Sequence, residues 1–454
     1  MQNRAQWQSR LGFVLAATGS AVGLGNIWKF PYITGMNGGG LFVLVYLFCI
    51  AGVGIPILAA EVLLGRATAQ SPVGAFRSLS REGSPWVLVG GLGVLTAGTI
   101  LSYYGVVAGW CLDYVLLSAT GRLTATAPDD VPSLFGELYA DPARNVVWLT
   151  VFTAATVWVI LGGVRKGVER ASLILMPLFF LTLVILVVHS GTLPGFGEAL
   201  DFLFTPRPEN LSPAGVLEAL GHSFFSLSVA MGAMLTYGSY LSKKESIPVT
   251  TLTVGTLDTL VALVACLVLF PIIFTFGMEA SAGPGLVFMS IPAALVQLPL
   301  GALWSILFFA LLFLAAWTSA ISLLEVLVAY GIDEWKLSRK VSTLLFGAIV
   351  YLFGIPSALS GGEGFFGKGL QEATGRNWFD WFDYVASNWF LPLGGLGISI
   401  FVAWKLEDGL RRAAFGEGTP EAWQARLYAG WLMLLRYLAP VAIVAIFLHV
   451  IGVI

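Results

Sequence analysis

Charge is scarce in this chain. Only 11% of its 454 residues are Asp, Glu, Lys or Arg, against about a quarter in an ordinary soluble domain, so a soluble fold is excluded. The formal net charge of −2 leaves no basic surface for a nucleic acid. Cysteine is rarer still: Cys49, Cys111 and Cys266 all fall inside apolar runs, which excludes a disulfide framework. The sequence contains no nucleophile set beside a base, no phosphate loop and no metal cluster, so it does not read as an enzyme. A cleavable signal peptide is missing as well, because the first apolar run is too long and no small-residue cleavage pattern follows it.

What fills the chain instead is hydrocarbon, with 57% of residues hydrophobic. Runs of about 20 apolar residues are long enough to cross a bilayer. They number about eleven, near 11–34, 41–64, 87–118, 147–163, 171–191, 214–240, 250–275, 302–332, 341–356, 381–404 and 429–453. The expected fold is an all-α polytopic membrane protein. Lys and Arg gather in alternate connections (Arg66, Arg77 and Arg81; Arg165, Lys166 and Arg170; Lys336, Arg339 and Lys340), while the opposite loops carry few. By the positive-inside rule the N-terminus is cytoplasmic, and an odd number of spans leaves the C-terminus outside. The segments 119–146 and 192–213 read as external loops, and 276–300 as an external loop folded back over the core.

Two of the spans are interrupted. The first contains Gly19-Ser-Ala-Val-Gly-Leu-Gly-Asn-Ile-Trp-Lys-Phe-Pro-Tyr32, with three glycines, an asparagine and a lysine ahead of Pro31. Irregular backbone is tolerated at membrane depth only where it is buried in protein or lines a cavity. There its carbonyls can coordinate a cation and its amides can face a carboxylate; a glycine-rich packing helix is the alternative. The sixth span carries Ser226, Ser228 and Gly232 at mid-membrane. Spans one and six each open a group of five, and five is odd, so the groups insert with opposite orientation. The expected organisation is a repeat of five helices over 1–191, an inverted repeat over 214–404, and a cytoplasmic linker with an eleventh helix over 405–454. Asp258, in the middle of span seven, is expensive in a bilayer and marks a functional site by default.

These residues carry a family resemblance. The first-span stretch with Asn37-Gly38-Gly39-Gly40, Gly54-Ile55-Pro56 to Glu61, Tyr103-Tyr104 to Trp110, FFSLS at 224–228 and WTSAISLLE at 317–325 resembles the neurotransmitter:sodium symporters. These are sodium-coupled carriers with the leucine-transporter fold, and this chain is most similar to the multi-hydrophobic amino-acid type. The resemblance implies two sodium sites. One comprises Ala21, Asn26, Ser226 and Asp258, and the other Gly19, Val22, Ala315, Thr318 and Ser319. It implies a substrate pocket of Ala21, Leu24, Gly25, Ile100, Tyr104, Phe225, Ser226, Ser228, Met231, Ser322 and Leu323. It also implies an external gate of Lys29 and Asp383 and a cytoplasmic gate of Arg4 and Asp333 with Trp7 and Tyr240.

Departures from the family pattern sharpen the expectation. Position 23 is glycine where amine carriers place an aspartate, which favours an amino acid over a monoamine. Lys29 replaces the usual arginine and lacks its bidentate fork. Asp258 stands where asparagine is usual, so a fixed carboxylate can replace chloride, and His222 stands where glutamine is common. The expectation is a plasma-membrane symporter of neutral, hydrophobic or aromatic L-amino acids, independent of chloride, working in the lipid bilayer as a monomer or weak dimer. A monoamine or ω-amino-acid carrier, or an amino-acid-gated channel or sensor on the same fold, is the alternative.

Overall fold

The computed structural model describes residues 5–278 and 285–450. In hydrocarbon each backbone N–H and C=O must be bonded within its own segment, so the apolar runs fold as helices. No strand occurs among the described residues. Among the described residues nine helices are long and apolar enough to cross a membrane: Gly40–Thr68, Val87–Ala119, Pro142–Leu161, Val164–Ser190, Ile247–Thr275, Gly301–Glu334, Arg339–Ala358, Trp378–Lys405 and Glu421–Val450. Arg10–Ala21 and Gly25–Met36 form a further pair, bent by 52°. The sixth apolar run lies as two short halves, Pro213–Ser226 and Ala233–Gly238. The two longest helices, Val87–Ala119 and Gly301–Glu334, pack along each other and form a wall against which the interrupted spans sit.

Proline leaves a recurrent mark. π-helical turns at Gly25–Lys29, Ile50–Gly54, Leu286–Ser290, Ala386–Phe390 and Leu434–Leu438 each end two residues before a proline. A proline inside a helix lacks one donor and pushes on the carbonyl four residues back; widening the preceding turn relieves both. Pro31 therefore does not break the first span. The break lies upstream, at Val22–Leu24, around Gly23.

The connections hold more order than their composition suggests. Val131–Ala140 is a helix that buries Val131, Leu134 and Leu138, and Phe196–Phe204 is one that buries Ala199 and Leu203. Each presents a single apolar stripe at helical spacing, too short to register as a span. Leu286–Leu295 folds back into the bundle, where Phe288 is fully buried and stacks on Phe135 with centroids 5.2 Å apart. Residues 279–284 of that segment lie outside the described residues. On the face rich in Lys and Arg, the helix Asp408–Gly416 is pinned by buried Arg66, which donates to the carbonyls of Glu245 and Ala414.

Candidate functional site

The first break is a matter of three residues. Val22 still donates to the Thr18 carbonyl at 2.7 Å, but its ψ of 106° turns the chain out of the helix before Gly25 restarts it. The second break is more strained, with φ of 51° at Ser228, 69° at Ala230 and 74° at Gly232. Left-handed backbone is natural for glycine but costs about 1–2 kcal/mol for a residue with a Cβ. Glu61 holds this strain in place. Fully buried in the second span, its carboxylate accepts from the amides of Ala230 and, at 3.2 Å, Leu235. Glu61→Ala strands both donors, and bonds to charged groups are worth about 1.5–3 kcal/mol each. The expected result is a clearly lower melting temperature of the purified protein, checked against Glu363→Ala in an exposed loop, which should leave it unchanged.

The two breaks meet at the carboxylate of Asp258, which is fully buried. Its Oδ1 accepts from Asn26 Nδ2 at 2.8 Å and its Oδ2 from Ser226 Oγ at 2.7 Å. Asn26 Nδ2 also reaches Ser226 Oγ at 3.1 Å and the Asp258 carbonyl at 3.2 Å, and its Oδ1 accepts from the Gly23 amide at 3.0 Å. Spans one, six and seven thus converge on one knot of oxygens. A hard cation requires such a set, provided the amide turns its oxygen inward; which end of an amide points where follows the hydrogen-bond network.

A second group of oxygens lies between span one and the helix Gly301–Glu334. Ser319 Oγ lies 3.4 Å from the carbonyl of Gly19, 3.2 Å from that of Ser20 and 3.3 Å from that of Val22. Thr318 Oγ1 donates at 3.1 Å to the carbonyls of Leu314 and Ala315, as a helical hydroxyl does. The carbonyls of Gly19, Val22 and Ala315 with the hydroxyls of Thr318 and Ser319, and no carboxylate among them, suit a monovalent hard cation better than a divalent one.

Between the two groups is a small cavity of about 20 Å³, lined by Ala21, Gly23, Gly25, Ile100, Tyr104, Phe225, Ser226, Ser228, Met231, Ser319 and Leu323. Tyr104 accepts from the Leu24 amide at 3.0 Å, so Leu24 contributes backbone. Ser322 is not among the lining residues; its hydroxyl accepts from Ser20 Oγ at 2.7 Å instead. Gly23 and Ser319 do line the cavity, an assignment the motif reading lacks. A Cβ at position 23 would lie 2.8 Å from the Tyr104 hydroxyl and 2.9 Å from Ser319 Oγ.

Both faces of the site are covered. On one, the Lys29 ammonium lies 5.3 Å over the Phe225 ring, and Asp383 accepts from Tyr103 at 3.0 Å and Ser387 at 3.1 Å. Among the described residues Lys29 and Asp383 form no ion pair. On the face rich in Lys and Arg, Trp7 is buried and donates through its ring to the Tyr237 carbonyl at 3.1 Å and through its amide to that of Tyr240 at 3.2 Å. Tyr240 donates to Glu325 at 2.7 Å, and Arg339 grips the same buried carboxylate with both terminal nitrogens. Asp333 accepts from the Ser71 amide at 2.5 Å. Arg4 lies outside the described residues. Glu61 and Glu325 are both detectable in sequence by the rule that singles out Asp258, a lone acid inside an apolar span.

Two interrupted helices that meet around buried oxygens are the mark of a secondary transporter. A family model described as the sodium:neurotransmitter symporter family matches residues 4–130 and 141–453, and the chain belongs to that family of sodium-dependent transporters, which are not enzymes. It is 38% identical over 455 residues to YhdH of Bacillus subtilis (strain 168), an uncharacterized sodium-dependent transporter, covering 100% of this chain and 99% of that one. The solved structure of MhsT in complex with L-phenylalanine superposes with a TM-score of 0.89 at 44% identity, covering 99% of this chain and 100% of that one. A sodium- and chloride-dependent taurine transporter of Rattus norvegicus is 27% identical over 414 residues, 79% of this chain and 66% of that protein.

Proposed function

We propose that this protein is a sodium-coupled symporter of neutral, hydrophobic and aromatic L-amino acids that works by alternating access, with its N-terminus in the cytoplasm. The observation that carries the reading is the crowding at Gly23. The Tyr104 and Ser319 hydroxyls lie within 3 Å of where a Cβ at position 23 would stand, so a side-chain carboxylate built there would have to displace them. The ligand brings one instead, to meet the Leu24 and Gly25 amides, the Tyr104 hydroxyl and a sodium ion held by Ala21, Asn26, Ser226 and Asp258. Its ammonium is received by the carbonyls of Ala21, Phe225 and Ser226 with Ser228. A second sodium, held by Gly19, Val22, Ala315, Thr318 and Ser319, fixes span one to the long helix behind it. Two inverted repeats, 1–191 and 214–404, rock around this centre. Lys29 with Asp383 closes one route, and Arg4, Asp333, Trp7 and Tyr240 the other.

Ile100, Phe225, Met231 and Leu323 receive the side chain, and none is charged. One methylene in such a pocket discriminates by only about 1–3 kcal/mol, and flexible methionine adapts to shape. Leu, Ile, Val, Met, Phe, Tyr and Trp are all expected to compete with radiolabelled L-phenylalanine, whereas Glu and Lys should fail to do so. The test of the whole reading is uptake into proteoliposomes: a sodium gradient should drive saturable accumulation of L-phenylalanine above the outside concentration. A channel or sensor cannot concentrate its ligand, so equilibration without accumulation overturns the proposal.

A further inference from the structure

Ser20 belongs to neither ion site nor to the cavity lining, yet it is fully buried and its hydroxyl is committed. It donates to Ser322 Oγ at 2.7 Å, 302 positions along the chain, and Ser322 in turn donates to the Ser319 carbonyl at 2.7 Å. The Ser20 carbonyl is equally engaged, accepting from Ser228 Oγ at 2.7 Å and lying 3.2 Å from Ser319 Oγ. One residue therefore joins the broken backbone of span one to the break of span six and to the long helix that carries Ala315, Thr318 and Ser319. A hydroxyl has a single hydrogen, so this chain of donors has a direction, from span one to the long helix.

We propose that Ser20 is a positioning residue that docks the break of span one onto the helix Gly301–Glu334 before sodium arrives, and so sets the sodium concentration at which the substrate site forms. The inference rests on the reading of Gly19, Val22, Ala315, Thr318 and Ser319 as a sodium site. Sodium bridging those oxygens performs the same docking as the Ser20–Ser322 bond. Without the hydroxyl, the docked arrangement is less populated when sodium is low, and sodium must supply the missing stabilisation; at saturation it supplies all of it. A ligand that favours one state can restore a population that a mutation has lowered.

Ser20→Ala is a mild change at a buried position, because Ser322 keeps its own donation to Ser319 and no donor is stranded. A buried hydrogen bond is worth about 1 kcal/mol, or roughly fivefold. The experiment measures L-[³H]phenylalanine binding to the purified full-length protein across a sodium titration. In Ser20→Ala the sodium concentration for half-maximal binding should rise about fivefold, while the affinity at saturating sodium stays within about twofold. Ser20→Ala combined with Ser322→Ala should shift that concentration no further than Ser20→Ala alone. An unchanged half-maximal concentration overturns the assignment, as does an affinity loss that saturating sodium does not repair. Sodium-independent binding by the unmodified protein would overturn the sodium-coupled reading itself, a result distinguishable from either.

Discussion

Asp258→Ala is expected to abolish sodium-dependent binding of L-phenylalanine, with a loss of at least about hundredfold, while the protein remains folded. Removing one partner of a buried charged contact typically costs about 3–5 kcal/mol, more than the two decades this figure requires. The geometry shows why the damage would be focused. The carboxylate takes the shortest bonds of both Asn26 and Ser226, and its loss leaves the knot where spans one, six and seven converge with only the Asn26–Ser226 contact and the Asp258 carbonyl. The rest of span seven packs through apolar residues such as Val254, Val261 and Ala262, which the substitution leaves in place. Sodium and substrate affinities are linked reciprocally if they share a contact. Both should therefore fall together in a sodium titration of the variant. Normal sodium dependence in Asp258→Ala would remove this residue from the site.

Replacing chloride by gluconate is expected to leave transport by the unmodified protein unchanged, within about twofold. Two monovalent cations buried near mid-membrane need a balancing anion, because an uncompensated charge out of water carries a penalty of several kcal/mol. On the proposed reading, Asp258 supplies that anion as part of the wall. Asp258→Asn keeps the shape and removes the charge, and whatever transport survives should fall at least about tenfold in gluconate and recover in chloride, as one decade is less than the several kcal/mol at stake. Anion replacement in proteoliposomes, with the sodium gradient held constant, measures both. Strict chloride dependence of the unmodified protein would overturn the role given to Asp258.

How much of this could be read from the sequence differs from residue to residue. The spans are legible because hydrocarbon leaves the backbone almost no alternative to the helix. The break in span one is legible from its glycines, although Pro31 points to the wrong place: a π turn absorbs the proline, and the chain parts at Val22–Leu24. Asp258 stands out because a lone acid at mid-span is expensive. Glu61 and Glu325 obey the same rule, but inside a recognised motif they read as letters of a pattern. The helices Val131–Ala140 and Phe196–Phe204 are hidden by polar neighbours on their other faces. Ser20 is not legible at all. A hydroxyl in a helix can always bond its own backbone, and nothing local announces a partner 302 positions away.

That distance has a bearing on how the protein is made. A chain is synthesised from its N-terminus at about 5–20 residues per second. Span one, with its interrupted backbone, thus enters the bilayer long before residue 319 exists. Until then the carbonyls of Gly19, Ser20 and Val22 lack the Ser319 hydroxyl that faces them in the finished molecule. The same holds for the Glu61 carboxylate, buried in span two and waiting for the amides of Ala230 and Leu235. The nascent first half is therefore a half-built socket. The carbonyls of span one stay without their Ser319 partner while residues 23–319 are translated, and the Glu61 carboxylate without its amides while residues 62–235 are.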